Sequence, residues 1–260
     1  MTRVLEARGL CKRFGGLTAL EGLDLDLREG EILGVIGPNG AGKTTLFSLI
    51  AGSLPPSKGE VLLRGRRITG QPPQRVVHAG IARTHQIVRP FRELTVRENV
   101  AIGVHHGRRR AGGDTAQRTA ELLSFVGLEA RAHELSRALT LAEQKRLELA
   151  RALGTAPEVL LLDEVIAGVN PSEALALAGL IRSIRDERKV SILLIEHVMP
   201  AVMKLSDRVL VLDHGRSIAL GSPGDVVREP RVIEAYLGSD AAADSPSVSP
   251  APGVREAGQS

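Results

Sequence analysis

GPNGAGKTT at residues 37–45 brings glycines, a lysine and two hydroxyls together in one short loop. Gly37, Gly42, Lys43 and Thr44 fit the phosphate-binding loop pattern, with an apolar strand-like run before it and the helical stretch TTLFSLIAG after it. The chemistry follows from the residue types. Glycines let successive backbone N–H groups close around phosphates, Lys43 supplies positive charge for the β and γ phosphates, and Thr44 offers its hydroxyl to Mg2+. A second run, VLLLDE at residues 159–164, ends in Asp163 and Glu164, where α/β folds place ligands. Asp163 suits a metal shell, and Glu164 suits a general base for an attacking water. Acidic residues follow many strands, so this pair says little alone; beside a phosphate loop it points to nucleotide hydrolysis.

A third stretch, LTLAEQKRLELARAL at residues 139–153, opens like a helix start and continues as an amphipathic repeat. Thr140 can accept from the backbone N–H of Glu143 while Glu143 reaches back to the N–H of Thr140, a capping box. The same helix end presents a positive dipole and unpaired amides to any anion that reaches it.

Short, fully apolar runs must position these residues: EILGVIG at 31–37, VLLLDE and SILLIEH at 191–197. Separated by helical patterns, they predict buried parallel strands with crossover helices. Alternating apolar positions at Leu23, Leu25 and Leu27, and VLLRG after Gly59, predict antiparallel strands near the start, with a turn at Gly15-Gly16. DRVLVLDHGRSIALG reads as a hairpin turning at His214-Gly215. The middle, from about Val88 to Leu139, lacks strand signals and reads as a helical lobe inserted into the α/β core. From Ser239 the chain is Ala/Ser/Pro-rich and is expected to be disordered.

The 260 residues are 43% hydrophobic, 25% charged and only 2% aromatic, which predicts one large domain with an aliphatic core. Cys11 is the single cysteine, so no internal disulfide forms and a reducing compartment is expected. A net charge of +4, without aromatics interleaved among basic residues, argues against nucleic acid as a partner. No signal peptide and no window of roughly 20 apolar residues is evident. The expectation is a cytosolic chain that relies on other subunits for any channel.

In this order the motifs resemble the nucleotide-binding subunit of ATP-binding cassette (ABC) transporters, over nearly everything from Val4 to Gly238. The resemblance implies an α/β fold: a P-loop NTPase core with an antiparallel β subdomain and an inserted helical subdomain at about 88–155. An ABC ATPase domain would span 1–238, with 239–260 as the tail. It implies ATP and Mg2+ as cofactors, with Gly37, Pro38, Asn39, Gly40, Ala41, Gly42, Lys43, Thr44 and Thr45 around the phosphates. Phe14 falls where the family stacks an aromatic on adenine, although it could equally be core. Gln86, in IARTHQ, matches the glutamine that reaches metal and water. His197, in LLIEH, matches the histidine that contacts the γ phosphate. Catalysis would then rest on Glu164, His197 and Gln86, and metal binding on Thr44, Gln86 and Asp163.

The family signature, usually Leu-Ser-Gly-Gly-Gln, binds ATP held by the opposite subunit. Here Leu139, Thr140, Leu141, Ala142 and Glu143 stand in its register, so Thr140, Ala142 and Glu143 would act in trans. Ala142 adds a methyl where close approach favours Gly, and Glu143 adds a negative charge near the triphosphate. Asn170 stands where many members have Asp, Val165 where Pro is common, and His85 where Phe is expected. Within the family the chain most resembles the ATP-binding subunits of branched-chain amino acid importers; the ATPase of lipopolysaccharide export is the alternative, and a non-transport ABC ATPase the more distant one. The implied partners are transmembrane permease subunits, a second ABC ATPase subunit, identical or not, and indirectly an extracytoplasmic solute-binding protein. The location would be cytoplasmic, peripheral on the inner face of the plasma membrane. Arg108, Arg109 and Arg110 read as a solvated loop or as a contact to anionic headgroups.

Overall fold

The computed structural model describes residues 2–84, 89–108 and 114–243. His85, Gln86, Arg109, Arg110 and the tail after Ala243 lie outside the described residues. Two sheets make up the frame. In the first, β1 (Arg3–Phe14) and β2 (Leu17–Arg28) form the expected hairpin about Gly15-Gly16, and β4 (Lys58–Leu63) and β5 (Arg66–Arg67) extend it in the order β2-β1-β4-β5. Leu5 pairs with Leu27 on one side and Leu63 on the other, placing three buried leucines in register.

The second sheet contains β3 (Ile32–Ile36), β6 (Ile81–Arg83), β7 (Val159–Asp163), β8 (Ser191–Ile195), β9 (Arg208–Asp213) and β10 (Arg216–Gly221). Its order is β10-β9-β3-β8-β7-β6, parallel throughout except for the β9–β10 hairpin. The continuous apolar runs follow from burial on both faces. Leu33, Val35, Leu161, Leu193 and Ile195 enter one core, against the first sheet and α1 (Lys43–Ile50), while Ile32, Leu160, Leu162, Ile192 and Leu194 enter another, against the helices opposite. Phe47 of α1 is the large aromatic within the first core. β6 had no sequence signal: three residues at a sheet edge are too few to show a period.

The remaining helices are α2 (Pro73–Ala79), α3 (Val96–His106), α4 (Thr115–Phe125), α5 (Leu141–Gly154), α6 (Pro171–Arg188), α7 (Met199–Leu205), α8 (Pro223–Val226) and α9 (Pro230–Ala243). α3, α4 and α5 pack on one another, and the buried stripe of α5 joins them to the second core. α9 continues past Gly238, where the sequence pattern placed the end of the folded region. Among the described residues, no helix is long and apolar enough to cross a membrane.

Candidate active site

β3 delivers the chain into the phosphate loop at Gly37, whose φ is 149°, and a Cβ there would lie 2.1 Å from the carbonyl oxygen of Leu212. Gly42, with φ 103°, would place a Cβ 2.6 Å from the carbonyl oxygen of Ala19. Both positions therefore exclude side chains by conformation and by space. α1 begins at Lys43 without a side-chain cap, so its first-turn amides remain open to an anion. Lys43 is buried, and its Nζ donates to the carbonyls of Gly37 at 2.6 Å and Pro38 at 2.9 Å. Burial lowers its pKa, while Glu164 and Asp163 oppose that shift. The ammonium is thus held at the loop, where phosphate oxygens would replace those carbonyls.

A cavity of about 450 Å³ opens over this loop and is lined by Asn39 to Thr45, Phe14, Glu164 and His197. Phe14 is 45% exposed with the ammonium of Lys12 5.0 Å from its ring centroid, so it is a rim residue and not core. Glu164 accepts from His197 through a 2.7 Å contact between Oε1 and Nε2; an ionised carboxylate only accepts, which makes Nε2 the donor. The backbone of Glu164 adopts a positive φ of 52° just past the end of β7. Its amide donates to Ile195 at 2.9 Å, and its carbonyl accepts from the Nζ of Lys145 at 3.0 Å. Asp163, at the end of β7 and 2% exposed, is not among the residues lining the cavity; it accepts from the guanidinium of Arg83 at 2.8 Å. Arg83 also donates to Ser48 and lies over the ring of Phe47.

Among the described residues, no three His, Cys, Asp or Glu side chains gather as a metal cage. Thr44 and Asp163 instead offer a hydroxyl and a carboxylate, hard oxygen donors that fit Mg2+ completed by water and substrate phosphates.

The expected capping box forms at α5: Thr140 Oγ1 accepts from the Glu143 amide at 3.3 Å, and Glu143 Oε2 accepts from the Thr140 amide at 2.8 Å. The other carboxylate oxygen of Glu143 accepts from Arg131 at 3.1 Å, so the charge is folded back and paired. This leaves the amides of Leu141 and Ala142, which have no intrahelical acceptor. Ala142 is buried and Leu141 is 45% exposed, so crowding at this helix end comes from Leu141, not from the methyl of Ala142. Thr140, Ala142 and Glu143 are not among the residues lining the cavity over Gly42 and Lys43. Asn170 keeps an acceptor role by capping α6, accepting from Glu173 at 2.9 Å.

Arg83, Arg131 and Lys145 were not singled out from the sequence, nor were Glu196 and Tyr236. Glu196, 1% exposed, accepts from the Ile166 amide at 2.6 Å, and the half-buried Tyr236 hydrogen-bonds the backbone of Gly37 from α9. One signal was available: Lys145 and Glu148 fall on the same helical period as the buried residues Ala142, Leu149 and Ala152.

The phosphate loop, the strand-end carboxylates and the exposed helix start of α5, set in this two-sheet frame with its helical layer, define an ATP-binding cassette. The chain belongs to the ABC transporter family, whose model matches residues 20–167, and the model for the branched-chain amino acid ATP-binding cassette transporter matches residues 216–242. It is an ATP-hydrolysing subunit of that class. It is 42% identical, over 90% of its length and 98% of the relative's, to the high-affinity branched-chain amino acid transport ATP-binding protein LivG of Salmonella typhimurium. BraF of Pseudomonas aeruginosa, described in the same words, is 39% identical over the same shares. Among solved structures, an ATP-binding cassette of an ABC transporter in its ADP conformation is 30% identical with a TM-score of 0.83, covering 92% of this chain and all of that one.

Proposed function

We propose that this subunit powers a membrane importer for branched-chain or related amino acids, working as one of two cassettes that close around two ATP molecules. The observation that carries the paired arrangement is that Lys43, Glu164 and His197 share one cavity while the α5 helix start lies apart from it. In this reading Phe14 stacks on the adenine, and the amides of residues 39–45 with Lys43 hold the phosphates. The partner's γ phosphate meets the Leu141 and Ala142 amides and the dipole of α5. Glu164 takes the proton of the attacking water, and the hydrogen bond from His197 fixes that carboxylate at the γ phosphate. Thr44 and Asp163, with Gln86 by resemblance, would hold Mg2+, which when bound neutralises charge on the phosphates. Asp163 would exchange part of its contact with Arg83 on doing so.

The amino acid assignment is supported by the relatives' own names and by the match at residues 216–242. Permease subunits provide the channel, an external binding protein delivers the solute, and the cassette sits on the cytoplasmic face. Replacing Glu164 with Gln should remove most turnover and leave ATP binding intact. The solution mass of that variant should then double with ATP; a monomer that binds ATP overturns self-pairing and calls for a second, non-identical cassette. Uptake of labelled leucine by the reconstituted transporter tests the solute, and no uptake with intact ATPase activity rejects it.

A further inference from the structure

Lys145 is a lysine at 5% exposure in the second turn of α5, with its ammonium 3.0 Å from the carbonyl oxygen of Glu164. Burial works against its charge, and Glu196, Glu148 and Glu164 supply the compensating field. The segment it holds is unusual. Glu164 has a positive φ, and Val165 follows it, so no proline ring fixes the turn. The turn is secured instead from three sides: the Glu164 amide to Ile195, the Glu164 carbonyl to Lys145, and the Ile166 amide to Glu196. Two of these holds belong to β8 and the residue after it. The third comes from α5, the helix that Thr140 caps.

We propose that Lys145 is a positioning residue for Glu164, fixing the general base to the helix whose N-terminus engages the partner's nucleotide. The inference rests on the paired-cassette reading above. Any shift of α5 as its N-terminus takes up phosphate moves the Lys145 ammonium, and with it the peptide that aims the Glu164 carboxylate at the water. One cassette's readiness to hydrolyse thereby depends on its engagement of the other cassette's ATP. The donor that this carbonyl receives is the Lys145 ammonium, beside the buried Val165.

The test is single-turnover ATP hydrolysis by the full chain with Mg2+. Lys145→Met keeps a long buried side chain without a donor; its rate at saturating ATP should fall about tenfold or more while the half-saturating ATP concentration stays unchanged. Lys145→Arg retains a donor and should recover most of the rate. Because Lys145→Met strands buried carboxylates, Lys145→Met/Glu196→Gln removes both charges; thermal unfolding should show it folded, and it should still hydrolyse slowly. A wild-type rate in the folded variants, a loss confined to half-saturation, or no recovery with Arg overturns the inference. The ATP-dependent mass of Glu164→Gln separates the two readings. Pairing together with a wild-type rate in Lys145→Met rejects the role of Lys145 alone, whereas absence of pairing both by the chain itself and with the second cassette rejects the arrangement on which it rests.

Discussion

Glu196→Gln should change how stability depends on pH, by an amount fixed by its surroundings. The carboxyl is 1% exposed, one oxygen accepts from Ile166, and the other has no hydrogen-bond partner. Burial is the main cause that pushes its pKa from 4.5 up to about 7, with the Ile166 amide and Lys145 opposing and Glu164 adding to the rise. Because the folded pKa lies above the unfolded one, between about pH 4.5 and 7 the native chain keeps a proton that the unfolded chain has released. Stability from this group is therefore complete below pH 4.5 and declines as pH rises through 7. At about 1.4 kcal/mol for each pKa unit, the rise from 4.5 to about 7 corresponds to a full decline of about 3.5 kcal/mol. Gln keeps an acceptor for Ile166 and cannot titrate. Urea unfolding of both proteins from pH 5 to 8 should show wild type losing stability relative to the variant as pH rises, with the difference levelling above pH 7. Parallel curves, or a variant that becomes relatively weaker at high pH, would refute the assignment of a buried, proton-holding carboxyl.

Gly42→Ala places a Cβ against the Ala19 carbonyl at a φ that L-residues avoid, so the loop must open. Fluorescent-nucleotide titration should show affinity reduced about tenfold or more, with far-UV circular dichroism unchanged. Arg131→Gln leaves the Glu143 carboxylate held by the Thr140 amide without a cationic partner at the α5 helix start. Since the pair is part-exposed it contributes only about 0.2–1 kcal/mol, so ATP-driven pairing of Glu164→Gln should need up to about fivefold more ATP, with the deficit shrinking at high salt.

What was legible in the sequence is what depends on neighbours along the chain. The phosphate loop is contiguous, so glycine, lysine and threonine could be assigned to amides, charge and metal before any coordinates. The Thr140–Glu143 box was legible for the same reason, being set by one helical turn. β3, β7 and β8 were legible because both their faces are buried, which writes a continuous apolar run. Contacts across the fold left no such trace. Arg83 and Asp163 are 80 residues apart, Lys145 and Glu164 are 19 apart on different elements, and Arg131 reaches Glu143 from a preceding turn. Whether Phe14 was core or rim was also unreadable, because a single aromatic at a strand end carries no period.

The departures at residues 139–143 and 165 stop looking independent once these contacts are considered together. Glu143 replaces a neutral side chain, and its charge is absorbed by the Thr140 amide and Arg131, so the helix end keeps its positive character. Val165 replaces a ring that would fix the turn, and the fixing is done by Lys145 and Glu196. In the paired reading proposed above, phosphate binding at α5 would depend on the dipole and on amides that survive side-chain change. Side chains are therefore left to tune how firmly α5 and the Glu164 turn are held. The side chain that would stand in a phosphate's approach is Leu141, half exposed and leaning toward Gly168, where an added Cβ would lie 3.7 Å from Cδ2 of Leu141. Gly168 lies in the loop after β7, before α6. The side chain that crowds the helix start therefore also faces the loop that follows Glu164.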